Sequence, residues 1–188
     1  MNHPPPRRSL RVAAAIAAIL GLVVGVSYFG VPPAPVVPPP MAARPAAVPA
    51  RPGDAMPAIT LPDLDGHPVD LARFRGRPLL INVWASWCGP CVEEMPALQA
   101  FAAAQPAEGV QVLGLAIDTP EGVRDFLARV PVSYPIVLEQ PAPDDASVKL
   151  GNAQGLLPYT VLVDARGHII KQKLGPFAHG EIERWAKP

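Results

Sequence analysis

Two cysteines occur in the 188 residues, and both fall in one motif, Trp87-Cys88-Gly89-Pro90-Cys91. An apolar run, Pro78-Leu79-Leu80-Ile81-Asn82-Val83-Trp84, precedes the motif and reads as a buried strand. The residues that follow read as a helix, so the motif sits at a strand-to-helix turn. In that position the first thiol lies on the opening turn, where free backbone N–H groups and the helix dipole favour a thiolate. An unperturbed thiol, with a pKa of about 8.5, is only a few per cent ionised at neutral pH, and a shift to about 7 ionises roughly half of it. The second thiol, three residues on, is placed to close a ring and resolve a mixed disulfide.

Two other uses of the pair compete with a redox site. A structural disulfide is one, but a bridge closing so short a loop removes little unfolded-chain entropy. Half of a zinc site is the other. Zinc takes four clustered ligands, whereas His3, His67, His168 and His179 are scattered singly and no second cysteine pair exists.

The first part of the chain differs from the rest. Arg7, Arg8 and Arg11 precede Val12 to Gly30, nineteen residues without a charge. That length is close to the roughly 20 residues of a membrane-spanning helix, and the flanking arginines orient its N-terminal end towards the cytoplasm. A cleavable signal peptide is the alternative, but its apolar core is shorter and ends in small residues, whereas this run ends in Tyr28-Phe29. The expected organisation is a signal anchor over 1–30, a proline-rich linker over 31–53 and a folded domain over 54–188. Between Val31 and Pro57 ten of twenty-seven residues are proline, a composition that forms an extended stalk rather than a core.

The zero net charge of the whole chain hides an asymmetry. All five charges before Asp54 are arginines, while the remainder carries 11 Lys and Arg against 16 Asp and Glu, a net of −5. A mildly acidic domain lacks the basic footprint of a nucleic-acid binder. Along the domain, strand and helix alternate. A hairpin around Asp63-Leu64-Asp65-Gly66 comes first, then the strand over 79–84, a helix over 90–105 that Pro96 should kink, and a strand over 110–117. A helix over 120–129 capped by Thr119, short elements over 136–138 and 144–150, a hairpin across Ala165-Arg166-Gly167 and a helix over 178–186 complete it. The order implies an α/β fold with a mixed central sheet and helices on both faces.

Three segments carry a resemblance. They are Asn82-Val83-Trp84-Ala85-Ser86-Trp87-Cys88-Gly89-Pro90-Cys91-Val92-Glu93-Glu94-Met95-Pro96, Gly155-Leu156-Leu157-Pro158-Tyr159-Thr160-Val161-Leu162-Val163-Asp164, and Leu61-Pro62-Asp63-Leu64-Asp65-Gly66. Over Ala55 to Ala186 the chain resembles the membrane-anchored, thioredoxin-fold thiol–disulfide oxidoreductases of the TlpA/ResA/CcmG group. The resemblance implies a redox-active Cys88–Cys91 disulfide with Cys88 as nucleophile and Cys91 as resolving thiol. It also implies a cis Pro158 beside the dithiol, with the Leu157 backbone and Trp87 contacting substrate. Cytoplasmic thioredoxins carry an aspartate beneath the cysteines; Asn82 stands there instead, and Glu94 matches a glutamate that the anchored group places near the dithiol. At i and i+3 on one helix face, Glu94 is placed to take the proton of Cys91, and the competing reading is a solvated helix charge like its neighbour Glu93.

The implied activity is reduction of protein disulfides outside the cytoplasm by a periplasm-facing domain on a single-pass inner-membrane anchor. Electrons would come from a transmembrane thiol–disulfide donor, apocytochrome c is one implied substrate, and no cofactor or metal is required. An oxidant or isomerase would share every motif. A thioredoxin-fold peroxidase would need a threonine three residues before the cysteine, where Ala85 stands, and a copper chaperone would need wider cysteine spacing.

Overall fold

The computed structural model describes residues 48–187; the apolar run over 12–30 and the proline tract up to residue 47 lie outside the described residues. Five strands form the central sheet: β3 (Leu79–Trp84), β4 (Gln111–Ile117), β5 (Ile136–Glu139), β6 (Tyr159–Val163) and β7 (Ile169–Leu174), in the order β5-β4-β3-β6-β7. The β3, β4 and β5 strands run parallel, and β6 and β7 are antiparallel to their neighbours. Two parallel neighbours need crossovers, which α1 (Gly89–Ala103) and α2 (Pro120–Leu127) supply. The sequence makes β3 the centre because all six of its residues are apolar or amide and all are buried.

Strand alternation divides the core into two layers. Leu79, Ile81 and Val83 face one side with Leu113, Leu115, Val161 and Leu71. Leu80 and Trp84 face the other, against Cys91, Met95, Leu98 and Phe101 of α1, Val123 and Phe126 of α2, and Ile182. Asn82 lies between Leu80 and Trp84 in the strand, so β3 presents one amide to the underside of α1.

A small hairpin, β1 (Thr60–Pro62) and β2 (Pro68–Asp70), covers the first layer with a 3₁₀ turn (Leu71–Phe74) and the single-turn α3 (Ala146–Lys149). Both hairpin loops follow one scheme. In Asp63–His67 and in Asp164–His168, the aspartate Oδ1 accepts the N–H groups two and four residues on, at 2.8–2.9 Å. A glycine at positive φ, Gly66 or Gly167, closes each loop, and the histidine Nδ1 returns towards the aspartate. These amide bonds hold both aspartates below the usual carboxylate range. They also account for the gathering of Asp63, Asp65 and His67, whose ligand atoms lie within 4.8 Å of one another.

Helix α1 includes Pro96, whose ring lies on the exposed face, so the Val92 carbonyl it leaves unpaired is not forced into the core. Two features differ from expectation. The C-terminal helix, α4, is a single turn (Ile182–Trp185) rather than a span from Ala178, because Gly180 adopts φ +66° and interrupts it. Finally, Ala50 packs on the domain: its N–H bonds Lys149 O at 3.0 Å and its carbonyl accepts the Gln172 amide at 2.8 Å. Gly151, at φ +111°, lets that segment approach; a Cβ there would stand 2.6 Å from Ala50 O and 2.7 Å from the Tyr159 hydroxyl.

Candidate active site

Cys88 is the N-cap of α1, with extended backbone (φ −90°, ψ 102°), and Pro90 occupies the first turn, where a missing N–H costs nothing. No side chain caps the helix and no acidic residue stands in its first turn, so the N-terminal field reaches Cys88 uncompensated by a local carboxylate. The thiols are joined as a disulfide, S–S 2.04 Å with the Cα atoms 5.3 Å apart. Cys91 is wholly buried. Cys88, which opens the helix and follows Trp87 and on that ground is expected to be the exposed member, is also largely buried at 7% accessibility within the apolar layer under α1; what surface the pair retains belongs to Cys88.

The loop before Cys88 is held by a residue the sequence pattern did not single out. Asp118, buried at the end of β4, accepts the Ser86 N–H at 2.8 Å and the Ser86 hydroxyl at 2.6 Å through Oδ2. Its Oδ1 takes the Thr119 N–H at 2.7 Å. The available signal was its place after a buried parallel strand, at the carboxyl end where α/β sites gather.

Glu94 lies beneath the dithiol, one helical turn after Cys91, and is buried at 5% accessibility. The surface-charge reading therefore does not hold for Glu94, while Glu93 is exposed. Asn82 Nδ2 donates to Glu94 Oε1 at 2.8 Å and, more weakly, to Thr160 Oγ1 at 3.2 Å. The Phe177 N–H donates to Oε2 at 3.1 Å. Burial pushes the Glu94 carboxyl above its ordinary range, while the Asn82 and Phe177 bonds and the Lys173 charge pull it partly back. Among the described residues Asn82 Oδ1 has no partner. The amide thus turns its donor towards the carboxyl, an arrangement that suits the ionised form in which Glu94 would accept a proton.

The other wall of the site is the loop before β6. Leu157-Pro158 is cis, as the resemblance implied, and Pro158 is buried. Asn152, itself buried, holds the loop from both sides, with Nδ2 on Leu156 O at 3.0 Å and Oδ1 receiving Leu156 N–H at 3.2 Å. Among the described residues no hydrogen bond reaches the Leu157 N–H or carbonyl. Trp87 projects into solvent at 67% exposure; Trp84, by contrast, is core, tilted against Phe126 with ring centroids 5.2 Å apart. Trp87 and Leu157 line a cleft of about 600 Å³ whose far side is Pro141 to Pro143 and Val148.

The chain that carries this arrangement, a disulfide at a helix N-terminus with a buried carboxyl on the same helix and a cis-proline loop, is similar to known proteins. The Redoxin family model covers residues 51–185. The chain belongs to the Redoxin family. Within it, the thiol-disulfide oxidoreductase ResA of Geobacillus kaustophilus is 32% identical over 133 residues, 70% of this chain and 74% of that protein. Among solved structures, a proposed thiol:disulfide interchange protein DsbE from Chlorobium tepidum matches with a TM-score of 0.60 at 27% identity, over 72% of this chain and 93% of that one. A thioredoxin-related protein from Neisseria meningitidis serogroup B matches with a TM-score of 0.55 at 36% identity, over 60% and 84%. This Redoxin-family chain is therefore a thiol–disulfide oxidoreductase of the ResA/CcmG type with a thioredoxin-like fold.

Proposed function

We propose that the protein reduces disulfides in proteins outside the cytoplasm, tethered to the inner membrane by residues 12–30 and lifted from it by the proline tract. The observation that carries this reading is the pairing of a helix-capping Cys88 with a Cys91 buried above Glu94. In the reaction, Cys88 thiolate attacks one sulfur of a substrate disulfide, and the other substrate sulfur leaves as a thiolate that takes a proton from water. The mixed disulfide is held beside the Leu157 backbone, whose free N–H and carbonyl can pair with an extended substrate segment, and against the indole of Trp87. Cys91 gives its proton to Glu94 and attacks Cys88 Sγ. The second substrate thiol departs, and the Cys88–Cys91 disulfide re-forms with two electrons delivered to the substrate.

A membrane dithiol donor then returns two electrons to the pair. A site outside the cytoplasm calls for such a donor, because an oxidising environment does not keep a dithiol that meets protein partners reduced without one. The Gly-Pro pair between the cysteines resembles that of reducing thioredoxins, which favours reduction over oxidation. Apocytochrome c, reduced before haem attachment, fits as one substrate. The anchor reading is supported by the charge-free run after Arg7, Arg8 and Arg11; among the described residues no helix is long and apolar enough to cross a membrane.

Two assays test the reading together. The segment from residue 48 onward is expected to reduce an insulin-type disulfide with dithiothreitol as donor, and the full chain is expected to stay in the membrane pellet after carbonate washing. Loss of reduction in a folded domain would remove the proposed activity, and a full chain in the supernatant would remove the anchor.

A further inference from the structure

Glu94 is clasped by a segment far from it in the chain. Its Oε2 accepts the N–H of Phe177, in the loop between β7 and α4. That loop is fastened by one side chain of β7: Lys173 Nζ pairs with Glu181 Oε1 at 3.1 Å and lies 5.4 Å from the Phe177 ring centroid. Glu181 Oε2 in turn accepts the Ala178 N–H at 2.7 Å, so the one carboxylate joins lysine and turn. Register closes the circle. Lys173 stands opposite Thr160 in the β6–β7 ladder, Thr160 stands opposite Asn82 in β3–β6, and Asn82 donates to the other Glu94 oxygen.

We propose that Lys173 is a positioning residue for Glu94, holding the 175–178 turn in place so that the Phe177 N–H stays on the carboxylate. The inference rests on the reading above that Glu94 receives the Cys91 proton. Every titratable or charged group packed around Glu94 enters the account. Cys91 lies on its own helix, bridged in the oxidised form. Tyr134 faces it from the loop before β5, its hydroxyl donating to Met95 Sδ at 3.3 Å, and is kept neutral by burial with Glu94 adding to the effect. His179 and Glu183 line with Glu94 a cavity of about 200 Å³ between α1 and the C-terminal segment. Lys173 is the cation whose charge pulls the Glu94 carboxyl down against its burial. Glu181 partly neutralises that charge, and is itself held below the ordinary range by the Ala178 N–H and Lys173. Removing the lysine therefore both loosens the Phe177 contact and disfavours the ionised carboxylate.

The test uses the full chain with ¹³C-labelled glutamate side chains. Infrared titration follows the Glu94 carboxyl, identified as the band absent in Glu94→Gln. In parallel, single-turnover release of substrate from the mixed disulfide is measured against pH. Lys173→Met is expected to move the Glu94 midpoint upward, and to slow release about threefold on the acid limb of the profile, where ionised base limits the rate. Lys173→Arg, which keeps the charge, should leave both near wild type. Lys173→Gln carries the same expectation as the methionine variant should the latter fail to fold. An unmoved Glu94 midpoint in the neutral variants overturns the proposal, because a purely structural lysine would leave that band alone. A midpoint that moves while the release profile stays fixed upholds the Lys173–Glu94 link and overturns instead the role of Glu94 as acceptor of the Cys91 proton.

Discussion

Cys91→Ser is expected to turn the protein from a catalyst into a trap. Cys91 has no accessible surface and Cys88 has 7%, so a protein-sized partner can meet the pair only through Cys88. Cys88 also holds the helix N-cap, the position where unpaired N–H groups and the dipole favour its thiolate. Once Cys88 has attacked, only a thiol within reach of its sulfur completes the exchange, and serine cannot. The variant should therefore accumulate covalent complexes that reductant dissolves, with multiple turnover reduced by about 10³-fold or more. Cys88→Ser should trap nothing and be inactive. Non-reducing electrophoresis, with mass spectrometry of the cross-linked peptide, reads the outcome directly. Complexes held through Cys91 would reverse the assigned roles.

Glu94→Gln has the next largest expected effect. A glutamine has the shape of the carboxyl but cannot take a proton, so release from the mixed disulfide should slow by about 10²-fold, the scale of a lost general base. Substrate attack by Cys88 should be changed far less, and stopped-flow measurement of the two phases separates the steps. The substitution also has a signature in stability. Burial raises the Glu94 carboxyl in the folded protein, so the folded state binds its proton more tightly than the unfolded chain does. Its contribution is fully present below the unfolded value of about 4.3 and is lost as pH rises through the folded one. Glutamine carries no such dependence. The melting temperature of Glu94→Gln relative to wild type should therefore climb across that interval in oxidised protein. A difference independent of pH would mean that Glu94 is not strained by burial. The remaining carboxylates with shifted acidity, Asp63, Glu139, Asp164 and Glu181, are shared by both proteins and cancel in the comparison.

The parts of this structure legible in the sequence are those set by local pattern. The apolar run of β3, the Thr119 cap on α2 and the aspartate-glycine hairpin loops each carry their cause within a few residues, and each forms where the residues place it. The dithiol was legible for the same reason. The cis geometry at Pro158 was not, since nothing near that proline distinguishes it from an ordinary loop residue; the family resemblance supplied it. What stayed hidden depends on register between distant strands. Asp118 reaches Ser86, 32 residues away in the chain, and the Phe177 N–H reaches Glu94 across 83. No spacing rule links such pairs before the sheet order is known. The burial of Cys88 was hidden for a related reason, because that residue packs into a layer built from α1, β3 and β4.

The reduction potential of the Cys88–Cys91 couple tests the central reading most directly. Equilibrating the domain with dithiothreitol or glutathione buffers of graded ratio and counting free thiols gives the value. A reductant of protein disulfides should lie towards thioredoxin, at about −270 mV, where the pair gives up electrons to most substrate disulfides. A couple near −120 mV, the range of a strong dithiol oxidant, would contradict the reading and make the same site a donor of disulfides instead.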